Sequence, residues 1–443
     1  MGRRRGSKKL PGGSFDAVIE ALSHDGRGVA NVNGKTTFIH GDLPGEKVSF
    51  HYSRVQRRYD EGAADAVLQP SPQRVEPHCE YFSRCGGCSL QHLGGAHQIV
   101  YKQQALLDAF RRIAAVEVGE VMPPLSADSW GYRRKARLGV KYVPGKGRVL
   151  IGFRERGSSF VTEMQRCPVL HPDVGEKLGE LAEVVHALGI RDRIPQIEVA
   201  MGDDGVVMIF RLLSPCSDMD ARVLQSFCSR QRWRCYIQEG GPQTVTPLSG
   251  EAQMLSYHLP EQRLSFDFLP TDFTQVNTAV NRGMVSQAMQ WLAPEAGERV
   301  LDLFCGLGNF TLPLAQLCGE VTGVEGDAAL VERARHNAAK NGLGNAQFHS
   351  ADLYAELGAP GWLRQRYDAV LLDPPRSGAL QLVSLLPGLG AKRILYVSCY
   401  PGTLARDAAL LVNEHGYKLV RTGVMDMFPH TAHVESMALF VRR

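Results

Sequence analysis

The sequence has no apolar run of eighteen residues, the approximate length that a helix needs to cross a membrane. Its first residues also lack the apolar segment of a secretory signal peptide. We therefore expect a soluble protein of the cytoplasm. In that compartment the ten cysteines are better explained as metal ligands, nucleophiles or reduced core residues than as disulfides.

Net charge is also low, at +4, but it is unevenly distributed. The first ten residues contain no acid and five cations, which are Arg3, Arg4, Arg5, Lys8 and Lys9. Such a segment is typical of an arm that binds nucleic acid and equally of a solvated, disordered tail, and the two interpretations are compatible. We assign residues 1–13 to a basic disordered tail. A chain of 443 residues predicts two or three domains.

Residues 14–75 alternate short strand-like runs with glycine-rich turns, the pattern of a small all-β barrel. Cations interleaved with aromatic residues suit a surface that follows an RNA backbone and stacks on bases. The alternative is an ordinary solvated face, but the basic tail beside the barrel favours RNA. The residues of this predicted surface are Arg27, Lys35, Lys47, Arg54, Arg57 and Arg58, with Tyr52 and Tyr59 between them.

Three closely spaced cysteines, Cys79, Cys85 and Cys88, follow a linker at 71–77, and two glycines separate the last pair. Iron–sulfur clusters and structural zinc both take four thiolates. Cys167 is the best fourth ligand, because a proline follows it as in ferredoxin ligands. A remote fourth cysteine favours an iron–sulfur cluster, with zinc as the alternative. Three unrelated core cysteines would explain so dense a group poorly.

A helix with apolar positions on one side is predicted over 97–116, followed by a β-rich region that runs to about residue 270. This region begins with four cations in five residues, which are Arg133, Arg134, Lys135 and Arg137. On a strand, alternate side chains point to opposite faces, so at least some of these cations must meet an anion or solvent. RNA phosphate is our preferred partner, and a solvated face is the alternative.

From Thr271 onward, strands and helices alternate, which predicts a doubly wound parallel sheet. Asp302 ends the first strand, a Gly-x-Gly loop follows it, and Glu325 ends the second strand. An acid at this position suits ribose hydroxyls. The short loop is neither a complete dinucleotide motif nor a Walker loop, which favours S-adenosylmethionine as the cofactor. Asp352, after the third strand, is expected near the adenine.

Two more strands of this region end in polar residues. One leads into Asp373-Pro374-Pro375-Arg376, and Arg393–Ser398 leads into Cys399. Ligands bind at the carboxyl ends of such strands, which favours an active site at this edge. The alternatives are a plain loop for the first segment and a small buried hydrophobic residue for Cys399.

These motifs together resemble the S-adenosylmethionine-dependent RNA 5-methyluridine methyltransferase family, in its TRAM-containing form that acts on uracil C5 of 23S rRNA. The resemblance covers nearly the whole chain and rests on segments that appear in the family's order. They are the barrel, the four cysteines, FTQVN (273–277), DLFCGLGNF, DPPR, VSCYPGTLARD and HTAHVESM. Tyr400 stands where asparagine is common in the family, and Asp352 where some members have asparagine.

The resemblance implies a role for each matching residue. Cys399 matches the family's nucleophile and Glu435 its general base. The positions that match its cofactor site are Gln275, Phe304, Asn309, Glu325, Asp352 and Asp373. A [4Fe-4S] cluster is implied on Cys79, Cys85, Cys88 and Cys167.

The resemblance further implies an interrupted domain order. The barrel occupies 14–75, the iron–sulfur domain 76–94 and 126–270, and the methyltransferase domain 95–125 and 271–443. The partner is 23S rRNA with a single-stranded or splayed uridine, and nothing requires more than a monomer.

Four alternative functions share some of these sequence features. A non-catalytic iron–sulfur RNA-binding protein predicts losses in DPPR, Cys399 or Glu435, and all are present. A radical enzyme needs an open cluster iron, which four cysteine ligands would fill. An amino-methyltransferase would have an aromatic residue in place of Arg376. A uracil-C5 enzyme for tRNA, or for another rRNA site, usually lacks the barrel, and the tRNA form also lacks the cysteine cluster, so this sequence favours rRNA.

Overall fold

The computed structural model describes residues 10–356, 358 and 360–442, so most of the predicted basic tail lies outside the described residues. The chain forms two compact units. The first runs to Lys102 and adds Glu155–Ser158 and Phe428–His433. The second consists of Gln103–Arg154, Ser159–Met427 and Val434–Arg443.

The first unit contains one six-stranded sheet, so the predicted all-β domain is confirmed. Its strands are β1 (Phe15–Val18), β2 (Ala21–Leu22), β3 (Gly28–Val32), β4 (Lys35–His40), β5 (Lys47–Val55) and β6 (Asp60–Gln69). They are arranged in the order β1-β5-β6-β4-β3-β2. Side chains alternate between the two faces, so that Ile39, Val48 and Phe50 enter the core with Ala17, Ile19 and Ala30.

The predicted helix after the cysteine group is α1 (Gly95–Ala109), which continues as a π-helical turn over Phe110–Ala114. Ala115 ends it in a left-handed conformation, with φ of 50°. Leu106 and Phe110 are buried as expected, but Ile113 is 55% exposed. The two-residue strand β7 (Glu120–Val121) follows.

The middle of the second unit contains a six-stranded sheet in the order β13-β12-β11-β10-β8-β9. Its strands are β8 (Lys135–Val143), β9 (Arg148–Gly152), β10 (Gln196–Met201), β11 (Val206–Arg211), β12 (Trp233–Gln238) and β13 (Val245–Pro247). The sequence predicted strands here but not the helices α2 (Pro172–Gly175), α3 (Leu178–Ala187) and α4 (Asp218–Arg230). A hairpin of β14 (Leu255–Leu259) and β15 (Leu264–Phe268) follows.

An eight-stranded sheet forms the rest of the second unit, in the order β18-β17-β16-β19-β20-β22-β21-β7. Its further strands are β16 (Arg299–Leu303), β17 (Glu320–Glu325), β18 (Ala346–Ser350), β19 (Ala369–Leu372), β20 (Arg393–Ser398), β21 (Lys418–Met425) and β22 (Glu435–Val441). The helices are α5 (Thr278–Leu292), α6 (Thr311–Ala315), α7 (Ala328–Lys340), α8 (Leu380–Leu385) and α9 (Pro401–Ala409). The predicted Rossmann-like fold is confirmed.

Short irregular turns connect these elements. They are 3-10 turns at Pro144–Lys146, Pro242–Thr244, Gly361–Arg364 and Leu386–Leu389, and a π turn at Leu410–Glu414.

The parallel strands β16, β17, β19 and β20 are mostly buried and apolar because both faces of the sheet are covered, whereas the edge strand β18 is only partly buried. Parallel pairing directs their carboxyl ends to one edge of the sheet. β22 is antiparallel to both of its neighbours, β20 and β21. Its first residue, Glu435, therefore comes to the edge at which β20 ends. No helix among the described residues has the length and apolar character to span a bilayer.

Candidate active site

Cys399 and Glu435 occupy neighbouring positions at the carboxyl edge of the large sheet. The antiparallel pairing of β20 with β22 matches Ser398 to Ser436. Cys399 and Glu435 are the next residues in that register. The Ser436 hydroxyl also donates to the Ser398 carbonyl at 3.3 Å. Two segments far apart in the sequence thus bring a thiol and a carboxylate together.

Cys399 is half-buried, and its surroundings disfavour the thiolate. Burial is the main cause that raises the pKa of this thiol to about 11, and the carboxylates of Glu435 and Asp373 raise it further. Arg376 acts in the opposite direction. The resting protein therefore holds a protonated thiol at neutral pH, and a nucleophilic role would require the thiolate to form first.

Asp373 directly follows β19, the strand next to β20. Its backbone N–H donates to the Leu303 carbonyl at 3.3 Å, which fixes the residue against the end of β16. Burial raises the pKa of the Asp373 carboxyl to about 7. Near neutral pH this group therefore exists in both protonation states, as suits a residue that contacts a polar ligand.

The glycine loop begins at Phe304, which has a φ of 65°, an uncommon value for a residue with a side chain. Glu325 closes this loop against the end of β17. One oxygen of its carboxylate accepts the Gly306 N–H at 3.0 Å, and the other accepts those of Gly326 at 2.7 Å and Asp327 at 3.1 Å. The Glu325 carboxylate is therefore held rigidly beside the glycine loop, at the edge where β16 and β17 end.

The remaining predicted cofactor residues lie on the same unit. Gln275 is half-buried in the loop before α5, a helix that Asn277 caps by accepting the Val280 N–H. Asp352 is exposed and accepts the Tyr354 N–H at 2.9 Å. Asn309 accepts a hydrogen bond from the Tyr257 hydroxyl at 2.9 Å.

Sequence reasoning missed three residues of this edge. Asn281 pairs with Asn309, Tyr257 donates to the same amide, and the Tyr354 ring lies 5.7 Å from that of Phe304, centroid to centroid. None of the three belongs to a motif. The only sequence feature that could have indicated a place in the site was their polar or aromatic character close to FTQVN and to Asp352.

Asp302 is fully buried beneath the loop rather than displayed at the edge. Its carboxyl accepts the Thr311 hydroxyl at 2.5 Å. Burial raises its pKa to about 8, the Thr311 hydrogen bond lowers it, and Asp373 and Glu325 raise it. A neutral carboxyl at this depth supports the loop without adding a third negative charge.

The cysteine group shows features that suit thiolate ligands, although the described residues contain no group of three or more His, Cys, Asp or Glu arranged to hold a metal ion. Gly87 donates its N–H to the Cys85 sulfur at 3.4 Å. Arg156 packs over the Phe82 ring at 5.3 Å and donates to the Cys88 carbonyl at 3.1 Å. Burial lowers the pKa of Arg156, whereas Cys85 and Cys88 raise it.

Cys79 and Cys85 belong to the first unit, as does Cys88, which is half-buried. Cys167 is buried in the second unit. A backbone N–H directed at a sulfur and a cation close to two cysteines would both stabilise thiolates. The first-unit residues therefore fit an anionic cluster.

The predicted basic surfaces are only partly available to RNA. In the barrel, Arg54, Arg57 and Arg58 are exposed. The other three cations form ion pairs, Arg27 with Asp25, Lys35 with Asp60 and Lys47 with Asp16.

In the middle region the cations also have partners within the chain. Arg134 pairs with Asp203, Arg137 with Glu198, and the half-buried Lys135 donates to the backbone carbonyls of Pro270 and Asp272. Arg133 donates to the Lys135 carbonyl at 3.0 Å. Phosphate is therefore not needed to explain this basic cluster.

Comparison with known proteins agrees with this architecture. Residues 294–432 match the methyltransferase domain family, and residues 8–64 match the TRAM domain family. A solved structure of Pyrococcus abyssi tRNA (uracil-54, C5)-methyltransferase in complex with S-adenosyl-L-homocysteine has a TM-score of 0.73. It covers 96% of this chain and 100% of its own at 24% identity, and so supports the fold.

Two curated relatives match over the whole length. Both are named 23S rRNA (uracil(1939)-C(5))-methyltransferase RlmD. The protein of Alkalilimnicola ehrlichii is 52% identical over 100% of this chain and 99% of its own. That of Methylococcus capsulatus is 51% identical over 100% of both chains. The chain thus belongs to the RlmD family of 23S rRNA (uracil-C5)-methyltransferases.

Proposed function

We propose that this enzyme methylates C5 of one uracil in 23S rRNA with S-adenosylmethionine, and that its target is the position named for its relatives, uracil 1939. The observation that carries the proposal is that Cys399 and Glu435 each adjoin the matched pair Ser398 and Ser436 of β20 and β22, and that Glu435 raises the pKa of Cys399. A thiol and a carboxylate at neighbouring positions are what nucleophilic activation of a uracil ring requires.

The reaction begins with Cys399. Its thiolate adds to C6 of the uracil, which gives an enolate and makes C5 a nucleophile. Bound S-adenosylmethionine supplies the methyl group as an electrophilic sulfonium. Glu435 then removes the C5 proton, and elimination of the thiolate restores the ring double bond. The uracil has to leave any base stack, because both faces of its C5–C6 bond must be reached.

Six residues are assigned to the cofactor. Glu325 is proposed to accept the ribose hydroxyls, since its carboxylate is held in place by three backbone N–H groups. Asp352 is proposed near the adenine edge, and Phe304 and Asn309 along the glycine loop. Asp373 and Gln275 would hold the reacting groups at attack distance.

A [4Fe-4S] cluster on Cys79, Cys85, Cys88 and Cys167 is the second part of the proposal. The Gly87 N–H and the Arg156 guanidinium support it on the first-unit side, and Cys167 is assigned from the sequence resemblance alone. A cluster here would supply structural order, because thiolate-assisted methyl transfer includes no redox step.

We further propose that the enzyme acts as a monomer in the cytoplasm. Arg54, Arg57 and Arg58 of the barrel would contact RNA phosphates, since they are exposed. We also propose that the domain boundaries are those predicted from the sequence. β7 supports the assignment of 95–125 to the methyltransferase domain, because it extends the large sheet.

The test is mass mapping of 5-methyluridine in rRNA and tRNA from cells with and without the gene. We expect one 5-methyluridine of 23S rRNA to disappear and to return with the wild-type gene but not with Cys399→Ala. Purified Cys399→Ala should still bind S-adenosylhomocysteine. Loss from tRNA, or from another rRNA site, would replace the substrate. Unchanged methylation would favour the non-catalytic RNA-binding alternative.

A further inference from the structure

The turn that follows Asp373 is held through three consecutive backbone carbonyls. The Thr403 hydroxyl donates to the Arg376 carbonyl at 3.1 Å, and the Arg406 guanidinium donates to that of Ser377 at 2.9 Å. The Tyr354 hydroxyl donates to the Gly378 carbonyl at 3.0 Å. An exposed turn with every one of these carbonyls bonded to a side chain is strongly restrained.

Two of the three donors come from the side of the nucleophile. Thr403 and Arg406 lie on α9, the helix that begins two residues after Cys399. The buried Asp407 of the same helix accepts the Ala379 N–H at 2.7 Å and the Tyr396 hydroxyl at 2.7 Å. These bonds join the turn to the helix and strand on either side of Cys399.

The third donor, Tyr354, comes from the opposite side of the edge. Its hydroxyl also accepts the Ser377 hydroxyl at 2.9 Å, so it forms two bonds to the turn. Its ring contacts Phe304, and its backbone N–H donates to the carboxylate of Asp352 at 2.9 Å. The side chain is 45% exposed. One residue thus connects two proposed cofactor residues with the turn that carries Arg376.

We propose that Tyr354 is a positioning residue that fixes the turn Arg376–Gly378 against the proposed cofactor residues Phe304 and Asp352 and thereby keeps Arg376 close to Cys399. This inference rests on the proposed function for the roles of Cys399, Phe304 and Asp352. The physical reason is preorganisation: a turn held from both sides presents its charged side chain in one place, whereas a turn held from one side moves.

The pKa of Cys399 reports directly on the position of Arg376, because this cation lowers it. Glu435 and Asp373 raise the pKa of Cys399 together with burial, and Arg376 lowers it. If the turn loosens and Arg376 moves away, this lowering is lost and the pKa of Cys399 increases. Alkylation of Cys399 by iodoacetamide, followed at peptide resolution by mass spectrometry over a pH series, measures that change without any RNA.

Three variants test whether Tyr354 positions the turn. Tyr354→Phe keeps the ring contact with Phe304 and loses both hydroxyl bonds, and Ser377→Ala loses only the bond to Tyr354. Tyr367→Phe is the matched control, because it removes a tyrosine bond to the Trp362 carbonyl, 2.9 Å long, elsewhere in the same sheet domain. All three are compared with the wild-type full chain.

We expect Tyr354→Phe to shift the alkylation profile to higher pH and to lower kcat about tenfold, with KM for S-adenosylmethionine changed by less than about twofold. Ser377→Ala should show a smaller shift in the same direction, and Tyr367→Phe none. General destabilisation would instead expose Cys399 and shift the profile to lower pH, because burial is the main cause of its raised pKa. The proposal is overturned if Tyr354→Phe matches Tyr367→Phe in both profile and kcat. If wild-type protein methylates no 23S rRNA uracil, the proposed function fails, while the alkylation profile still decides the role of Tyr354.

Discussion

Asn281 and Asn309 exchange two side-chain hydrogen bonds, each amide nitrogen donating to the oxygen of the other, at 3.1 and 3.0 Å. The pair joins α5 to the glycine loop, and the Tyr257 hydroxyl donates to the same Asn309 oxygen. Both hydrogen-bonding groups of the Asn309 amide are therefore occupied from the side of the protein. These bonds fix the orientation of the Asn309 side-chain amide within the glycine loop.

Asn281→Ala is predicted to weaken cofactor binding. It leaves the Asn309 amide without its reciprocal partner, so that the loop loses its restraint from α5. We expect affinity for S-adenosylhomocysteine, measured by calorimetry, to fall about tenfold. Asn345→Ala is the control, because it removes amide bonds to the Ala315 and Cys318 carbonyls instead. Equal affinity in both variants would exclude a role for the pair.

Glu435→Gln is predicted to affect two measurements in opposite directions. Without the carboxylate beside it, Cys399 has a lower pKa. More thiolate then exists at pH 8, and iodoacetamide alkylation should be about tenfold faster if the pKa falls by about one unit. Turnover should nevertheless stop after methyl transfer, since the C5 proton has no base.

A covalent complex of Glu435→Gln with RNA should accumulate and be visible as a shifted band in denaturing gels. The control is Glu414→Gln, which removes an exposed carboxylate from the same unit. The assignment of the base is wrong if Glu435→Gln turns over at the wild-type rate.

Asp302 is predicted to make the second unit less stable as pH rises. Its pKa is about 8 in the folded chain against an ordinary 3.8, so the folded state binds the proton more tightly. Stability contributed by this group is complete below pH 3.8 and is lost as pH increases to about 8.

Asp302→Asn should remove that dependence and keep an oxygen acceptor for Thr311. Thermal unfolding should give a Tm several degrees above wild type at pH 8 and a similar Tm at pH 4, since 1 kcal/mol corresponds to about 2–4 °C in domains of 150–250 residues. Asp368→Asn, whose carboxylate accepts the Arg299 N–H, should show no such difference. A parallel pH dependence in Asp302→Asn and wild type would contradict the prediction.

Cys88→Ser is predicted to remove iron from the protein. A serine hydroxyl is a poor substitute for a cluster thiolate, so both the iron content and the visible iron–sulfur absorption should fall to a small fraction of the wild-type values. Cys228→Ser is the matched control, since Cys228 is also a cysteine but is fully buried and lies in the middle sheet domain. Retention of iron by Cys88→Ser would exclude this residue as a ligand.

The strand ends of the large sheet could be predicted from sequence for a physical reason. Parallel strands are buried on both faces, so their apolar runs are continuous and end visibly at Glu325, Asp373 and Cys399. Asp302 was also predicted at a strand end, but it lies inside β16 and is buried. The glycine loop is likewise a local pattern. Residues that act through long-range contacts were not found. Asn281 lies 28 positions from Asn309, and Tyr257 lies 52 from it.

The roles of charged residues were also hard to predict, because they too depend on long-range contacts. The four cations around Lys135 suggested a phosphate site, because a sequence displays charge but not the groups that meet it. Their partners, Asp203, Glu198 and the carbonyls of Pro270 and Asp272, come from distant segments. The helices α3 and α4 were missed because strands dominated the pattern around them.

The position of β22 has a consequence for protein synthesis. β22 is translated after both β20 and β21, yet it lies between them in the sheet. A nascent chain that has emerged only as far as β21 therefore cannot complete this sheet, and it holds Cys399 without Glu435. The proposed pair of Cys399 and Glu435 forms only after β22 has left the ribosome, so the nascent chain lacks the proposed base until β22 has been translated.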